Sequence, residues 1–172
     1  MRRLLCAHRS ASARGKFPAF TPGRGQANER LARPGVAAAL AVGCSIVVAF
    51  QIVLTLGAPL GAAALGGVNS GQLPDRLRIV TAVATLVWLF ATLVVLARGG
   101  FAIFPLPGAV ARWGVWVLVG LLGVGTVLNF ASSSPWERFG WGPFTLAMLV
   151  LCITLARSGS GHDSDRIARI PT

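Results

Sequence analysis

The chain has no tyrosine, two histidines, three cysteines and a single lysine. Charged residues make up 12 % of its 172 positions, about half the share usual in soluble domains, while 54 % are hydrophobic. Each scarcity removes a class of chemistry. His8 and His162 are both in terminal segments, so no pair of histidines is placed to hold a haem inside a membrane or to activate a serine. Cys6, Cys44 and Cys152 form no CxxC pair, which excludes a disulfide framework, a structural zinc site and quinone-linked disulfide exchange. The missing tyrosine removes one possible general acid, and no phosphate-binding glycine motif is present. Accordingly no catalytic, cofactor-binding or metal-ligating residues are assigned, and a non-enzymatic protein is expected.

What is present in abundance is uncharged apolar chain. Residues 36–74, 79–97, 113–136 and 139–156 carry no Asp, Glu, Lys or Arg, and the mean hydropathy is +0.69. A globule of this size cannot hide that much apolar surface from water. The expected fold is an all-α membrane protein with four transmembrane helices in a compact bundle and both termini cytoplasmic. The spans are placed at about 36–56, 79–97, 113–131 and 139–156, within a membrane domain at 35–157. At 1.5 Å per residue, such runs reach roughly the 30 Å of a bilayer core. The fourth is short. Pro143 suits a first helical turn, with Trp136 and Trp141 completing the span in the headgroup zone. No acidic residue falls inside these limits, which argues against proton-coupled export through a membrane-embedded carboxylate. Residues 1–34 read as a disordered basic tail and 158–172 as a short C-terminal tail.

Net charge is +11. Eight of the 16 basic residues precede position 36, with almost no aromatic residues between them, so the charge fits attraction to anionic headgroups better than binding to nucleic acid. Thirteen Lys and Arg fall on the side of the two termini and three, Arg76, Arg78 and Arg138, on the other. By the positive-inside rule both ends lie in the cytoplasm, in a cell inner membrane, and the connections around 57–78 and 129–143 face outward. Arg outnumbers Lys fifteen to one, a usage typical of GC-rich bacterial genomes.

Helices associate in lipid through small and weakly polar faces. Ala37, Ala41, Ser45 and Ala49 recur every four residues in span one, with Cys44, Gln51 and Thr55 on the same half and Phe50 on the lipid half. Thr81, Thr85 and Thr92 share a face of span two. Gly120 and Gly123 in span three permit close approach. Trp88, in mid-span, either faces lipid or packs against a neighbour, and Cys44 and Cys152 read as inert small residues.

The outer connections hold the polar residues that stand out: Gln51, Asp75, Arg76, Arg78, Asn129, Glu137 and Arg138. Gln51 and Asn129 lie at comparable depth, where they either bond each other or meet a polar ligand. Asp75 and Glu137 either form exposed ion pairs with the nearby arginines or build a small-molecule or headgroup site with them. The glycine-rich segment 57–72 either lies in the interface or dips in against the helices.

The stretches LTLGAPLGAAALGG and LPDRLR, together with NFASSSPWERFGWGP, resemble an uncharacterised family of small bacterial, more narrowly actinobacterial, four-span integral membrane proteins. The likeness covers roughly residues 45–157. Members tend to carry Trp where this chain has Leu60. The resemblance implies the four-span fold and no reaction, ligand or partner. Two function classes follow from the residues. One is a non-enzymatic membrane component, a subunit or scaffold, with the lipid bilayer and a partner membrane protein or a second copy as its contacts. The other is a small transporter or permeation component with a ligand site near the outer loops.

Overall fold

The computed structural model describes residues 24–101 and 106–158. Cys6 and His8 in the N-terminal tail, and His162 in the C-terminal one, lie outside the described residues. Four long helices follow one another: α1 (Arg24–Thr55), α2 (Asp75–Gly99), α3 (Gly108–Ala131) and α4 (Gly142–Arg157). All four are long and apolar enough to cross a membrane once the turn before α4 is counted with it. The protein is a four-span membrane bundle.

Local chemistry sets the helix ends. α1 and α2 both close in the same motif, with Gly57 and Gly100 at φ +91°, a left-handed conformation that glycine adopts without a Cβ penalty. In each, the residue after the glycine bonds back five positions, Ala58 N–H to the Val53 carbonyl and Phe101 N–H to the Leu96 carbonyl. Pro74 and Pro107 hold extended backbone immediately before α2 and α3, where a missing N–H costs nothing.

Two boundaries differ from the sequence expectation. Helix α1 starts at Arg24, inside the segment read as a disordered tail. Residues 24–33 are rich in good helix formers, and Pro34 removes only one backbone bond without ending the helix. The fourth helical segment starts at Pro135, ahead of the expected 139. Pro135 occupies its first turn, and a five-residue π turn, Glu137–Trp141, leads into α4.

The helices form a ring in chain order. α1 packs most extensively on α2 and α3 on α4, with α2–α3 and α1–α4 contacts closing the ring. Neighbours run antiparallel. Thr55 at the end of α1 meets Thr81 near the start of α2, and Cys152 late in α4 meets the Val115 carbonyl early in α3. The start of α1 and the end of α4 therefore share one end of the bundle. There Arg98 donates to the Ala156 carbonyl at 3.2 Å, satisfying an end of α4 that has no helical partner and carries negative partial charge.

The main core fills the half of the bundle nearer those ends. Leu40 and Cys44, Val94 and Val95, Val115 and Leu122, Cys152 and Leu155 are its largest fully buried side chains, two from each helix. On α1 the buried face runs through Ala37, Leu40, Ala41, Cys44, Val47 and Val48, while Ser45 and Ala49 of the expected small-residue stripe are exposed. Steps of four residues drift about 40° each around a helix of 3.6 residues per turn, so a face that stays buried must alternate threes and fours. Close approach also occurs elsewhere than expected. A Cβ on Gly120 or Gly123 would meet no neighbour within 4 Å, whereas one on Gly114 would meet Val94 at 2.9 Å and one on Gly43 would meet Met148 at 3.1 Å. The threonines of α2 divide as well: Thr81 is buried, while Thr85 and Thr92 are partly exposed and bond their own helix.

Candidate functional site

The other half of the bundle is not filled. Between the core and the 57–74 connection lies a cavity of about 170 Å³, comparable with a space that holds one benzene-sized molecule. All four helices line it. Gln51 comes from α1, Thr81 and Trp88 from α2, Gly125 and Asn129 from α3, Glu137 and Trp141 from the turn leading into α4, and Thr145 from α4 itself. Phe50, Leu54 and Leu122 supply apolar wall.

The connection forms its roof. Residues Gly61–Ala63 and Leu65–Gly67 make two 3-10 turns, closed by Gly61 N–H on the Gly71 carbonyl at 2.9 Å. Ala64 and Leu73 are buried against Leu54, with Phe50 and Leu77 packed beside them. Leu65 is the one non-glycine at positive φ among the described residues, at +52°. A branched side chain there costs about 1 kcal/mol or more and persists only where its surroundings hold it.

What holds the roof is the connection between α3 and α4. Ser134 Oγ donates to the Ala62 carbonyl at 2.6 Å, and Ser133 Oγ donates to the Gly66 carbonyl at 3.3 Å. Gly66 N–H donates to Glu137 Oε1 at 2.9 Å. Gly67 fits because a Cβ there would sit 2.7 Å from Ser134 Cβ. Ser134 also caps the fourth helical segment, accepting from Glu137 N–H at 3.4 Å. Ser134-Pro135-Trp136-Glu137 has the spacing of a capping box with Pro at the first helical position. In the usual box the glutamate reaches back to the cap's own N–H. Here Ser132 Oγ takes that N–H at 3.1 Å, which leaves Glu137 for the roof.

Glu137 is 7 % exposed. The sequence reading set it in an outer loop, beyond the membrane-embedded positions; the structure puts it in the first turn of the fourth helical segment, at the cavity wall. Among the described residues no arginine is within ion-pair distance of it. Arg76 and Arg138 are exposed. Arg78 is engaged elsewhere, donating from Nε to the Thr55 carbonyl at 2.9 Å and pairing with Asp75 at 3.3 Å. That places a guanidinium on the end of α1, where cations are favoured. Asp75 itself is 96 % exposed, so the pair contributes little.

The π turn explains how one segment brings three side chains to the cavity. Gly142 N–H bonds back five residues to the Glu137 carbonyl. The widened turn offsets the drift of four-residue steps, so Glu137, Trp141 and Thr145 all line the cavity. Such turns occur often at functional positions. Trp141 stacks obliquely on Phe50, ring centroids 4.7 Å apart, and meets Phe144 edge-on at 5.5 Å.

Gln51 and Asn129 do converge on one cavity, but not on each other. Asn129 Nδ2 donates to Thr145 Oγ1 at 3.4 Å, tying α3 to α4. Gln51 Oε1 is buried without a hydrogen-bond partner. Of the seven expected residues, Gln51, Asn129 and Glu137 line the cavity, while Asp75, Arg76, Arg78 and Arg138 do not. Thr81, Trp88, Trp141 and Thr145 were not anticipated as a group. The capping box at 134–137 marks Glu137 as a first-turn helix residue rather than a loop residue, but its inward contact depends on the distant roof. Trp88, placed either in lipid or in packing, lies partly buried against the core and at the cavity wall. Among the described residues no three His, Cys, Asp or Glu side chains come together as a metal site.

In comparison with known proteins, the chain matches no family profile, no curated protein and no solved structure.

Proposed function

From four membrane spans around a roofed cavity, we propose a non-enzymatic membrane component that receives a small, mainly apolar molecule with a polar end beneath its 57–74 connection. Gln51 Oε1 carries this reading. Buried acceptors in folded proteins are almost always satisfied, and leaving one bare costs about 1–3 kcal/mol. Gln51 lines the cavity while its Oε1 is buried without a partner, an arrangement that a donor entering beside it completes as the side chain turns. The cavity gathers no nucleophile and base in hydrogen-bond contact, which favours binding over catalysis.

The positive-inside rule supports an orientation with both chain ends in the cytoplasm. The bundle brings Arg33, Arg98, Arg112 and Arg157 to the end shared by the chain termini, and Arg76, Arg78 and Arg138 to the roofed end. In that orientation the pocket faces the exterior side of a cell inner membrane.

Extraction from native membranes in a lipid-preserving polymer, followed by mass spectrometry of proteins and small molecules, tests this function. A retained small molecule that disappears in Gly125→Leu, which projects a side chain into the cavity, is the expected result. A stoichiometric protein partner with no small molecule would make the chain a subunit or scaffold instead.

A further inference from the structure

The chemistry of the cavity wall is one-sided, and it names a ligand class. Its charged group is a carboxylate, Glu137, buried and without an arginine partner among the described residues. Its unsatisfied polar atom is an acceptor, Gln51 Oε1. Its hydroxyl donors are already committed, Thr145 and Thr81 to backbone carbonyls of their own segments, and Asn129 spends one N–H on Thr145. Aromatic faces from Phe50, Trp88 and Trp141 complete the wall. A buried charge is costly unless paired, and aromatic rings attract cations through their negative faces. The lining holds no cationic side chain to offset an anion beside Glu137, and a purely neutral ligand leaves the carboxylate uncompensated.

We propose that the pocket beneath the 57–74 roof binds a small organic cation, an amine or quaternary ammonium with an apolar body, with Glu137 as counter-charge. This rests on the proposed function above and specifies its ligand. The Gly66 N–H bond uses one carboxylate oxygen and couples the same side chain to the roof. A cation drawn to Glu137 therefore competes for the group that helps latch the connection, which links occupancy to roof opening.

A matched pair of probes separates charge from shape: benzyltrimethylammonium and its neutral isostere neopentylbenzene. Binding is followed by tryptophan fluorescence in phosphatidylcholine nanodiscs holding the full chain, with protein-free discs subtracted for partition into lipid. The cation is expected to bind wild type and to lose at least tenfold in affinity in Glu137→Gln. That change keeps an acceptor for Gly66 N–H and removes only the charge. Trp88→Leu, which leaves the latch untouched, is expected to weaken the cation about fivefold and the neutral probe distinctly less, so the proposal stays testable if Glu137→Gln folds poorly. Gly125→Leu is expected to abolish both. Equal binding of the two probes, unchanged in Glu137→Gln and Trp88→Leu, would overturn the cation assignment and leave the pocket reading standing. Failure of both probes to bind wild type would overturn the two together.

Discussion

Replacing Ser134 by alanine removes two contacts at once. Its hydroxyl donates to the Ala62 carbonyl at 2.6 Å and accepts from Glu137 N–H at 3.4 Å. The first is a short interloop hydrogen bond, with a net contribution of about 1 kcal/mol. The second is a helix cap, and losing a serine cap also costs about 1 kcal/mol. Only the first spans the parting of the 57–74 roof from the α3–α4 connection, because the cap bond lies within the fourth helical segment, so the roof should open more easily by about 1 kcal/mol. With each 1.4 kcal/mol worth a factor of ten in an opening equilibrium, amide hydrogen exchange should accelerate about fivefold. The amides to watch are Gly61, Gly66 and Gly67, which are bonded to Gly71, Glu137 and Ala64. Amides in the core half, such as those of Leu118 and Leu122, should exchange as in wild type. Ser133→Ala is the internal control. It loses a single exposed bond of 3.3 Å and should change roof exchange by less than about threefold. Hydrogen exchange with mass spectrometry in nanodiscs reads all three. If Ser134→Ala exchanges like wild type, or no faster than Ser133→Ala, the roof is not held by Ser134.

Other substitutions test other parts of the structure. Gln51→Leu removes the bare acceptor and should raise thermal stability in detergent while abolishing ligand retention; Asn129→Leu breaks the link to Thr145 and should cost about 0.6–1 kcal/mol by denaturant titration. Gly123→Ala, at a position with open space around it, should stabilise α3 by about 0.5–1 kcal/mol. Gly114→Ala should lower the melting temperature instead, because Val94 stands 2.9 Å from the new Cβ and tight packing resists displacement. Arg78→Ala should destabilise the α1–α2 hairpin by about 1–2 kcal/mol through the lost bond to the Thr55 carbonyl. Asp75→Ala should leave the melting temperature unchanged, since that carboxylate is 96 % exposed.

Much of the bundle was legible in the chain. Four uncharged runs, each long enough for a bilayer, have no alternative to helices that satisfy their own backbone in lipid. The convergence of Gln51 and Asn129 followed from equal depth near the ends of two spans, α1 and α3, that run parallel. Which small residues face inward was less legible, because Ala, Ser and Gly satisfy both lipid-facing and helix-facing positions; only packing against Val94 or Met148 separates Gly114 and Gly43 from Gly120 and Gly123.

The chain by itself determined that this protein crosses a membrane four times, since apolar length and charge distribution are properties of sequence alone. The tertiary structure decided where the polar groups go. Glu137 lies far along the chain from Gly66, and no local pattern says that a glutamate beside Ser-Pro-Trp turns inward to meet that backbone amide. Nor does any local pattern leave the Gln51 carbonyl bare. Both outcomes depend on which groups two distant connections present to each other, and that is fixed only when four helices and a roof are packed together.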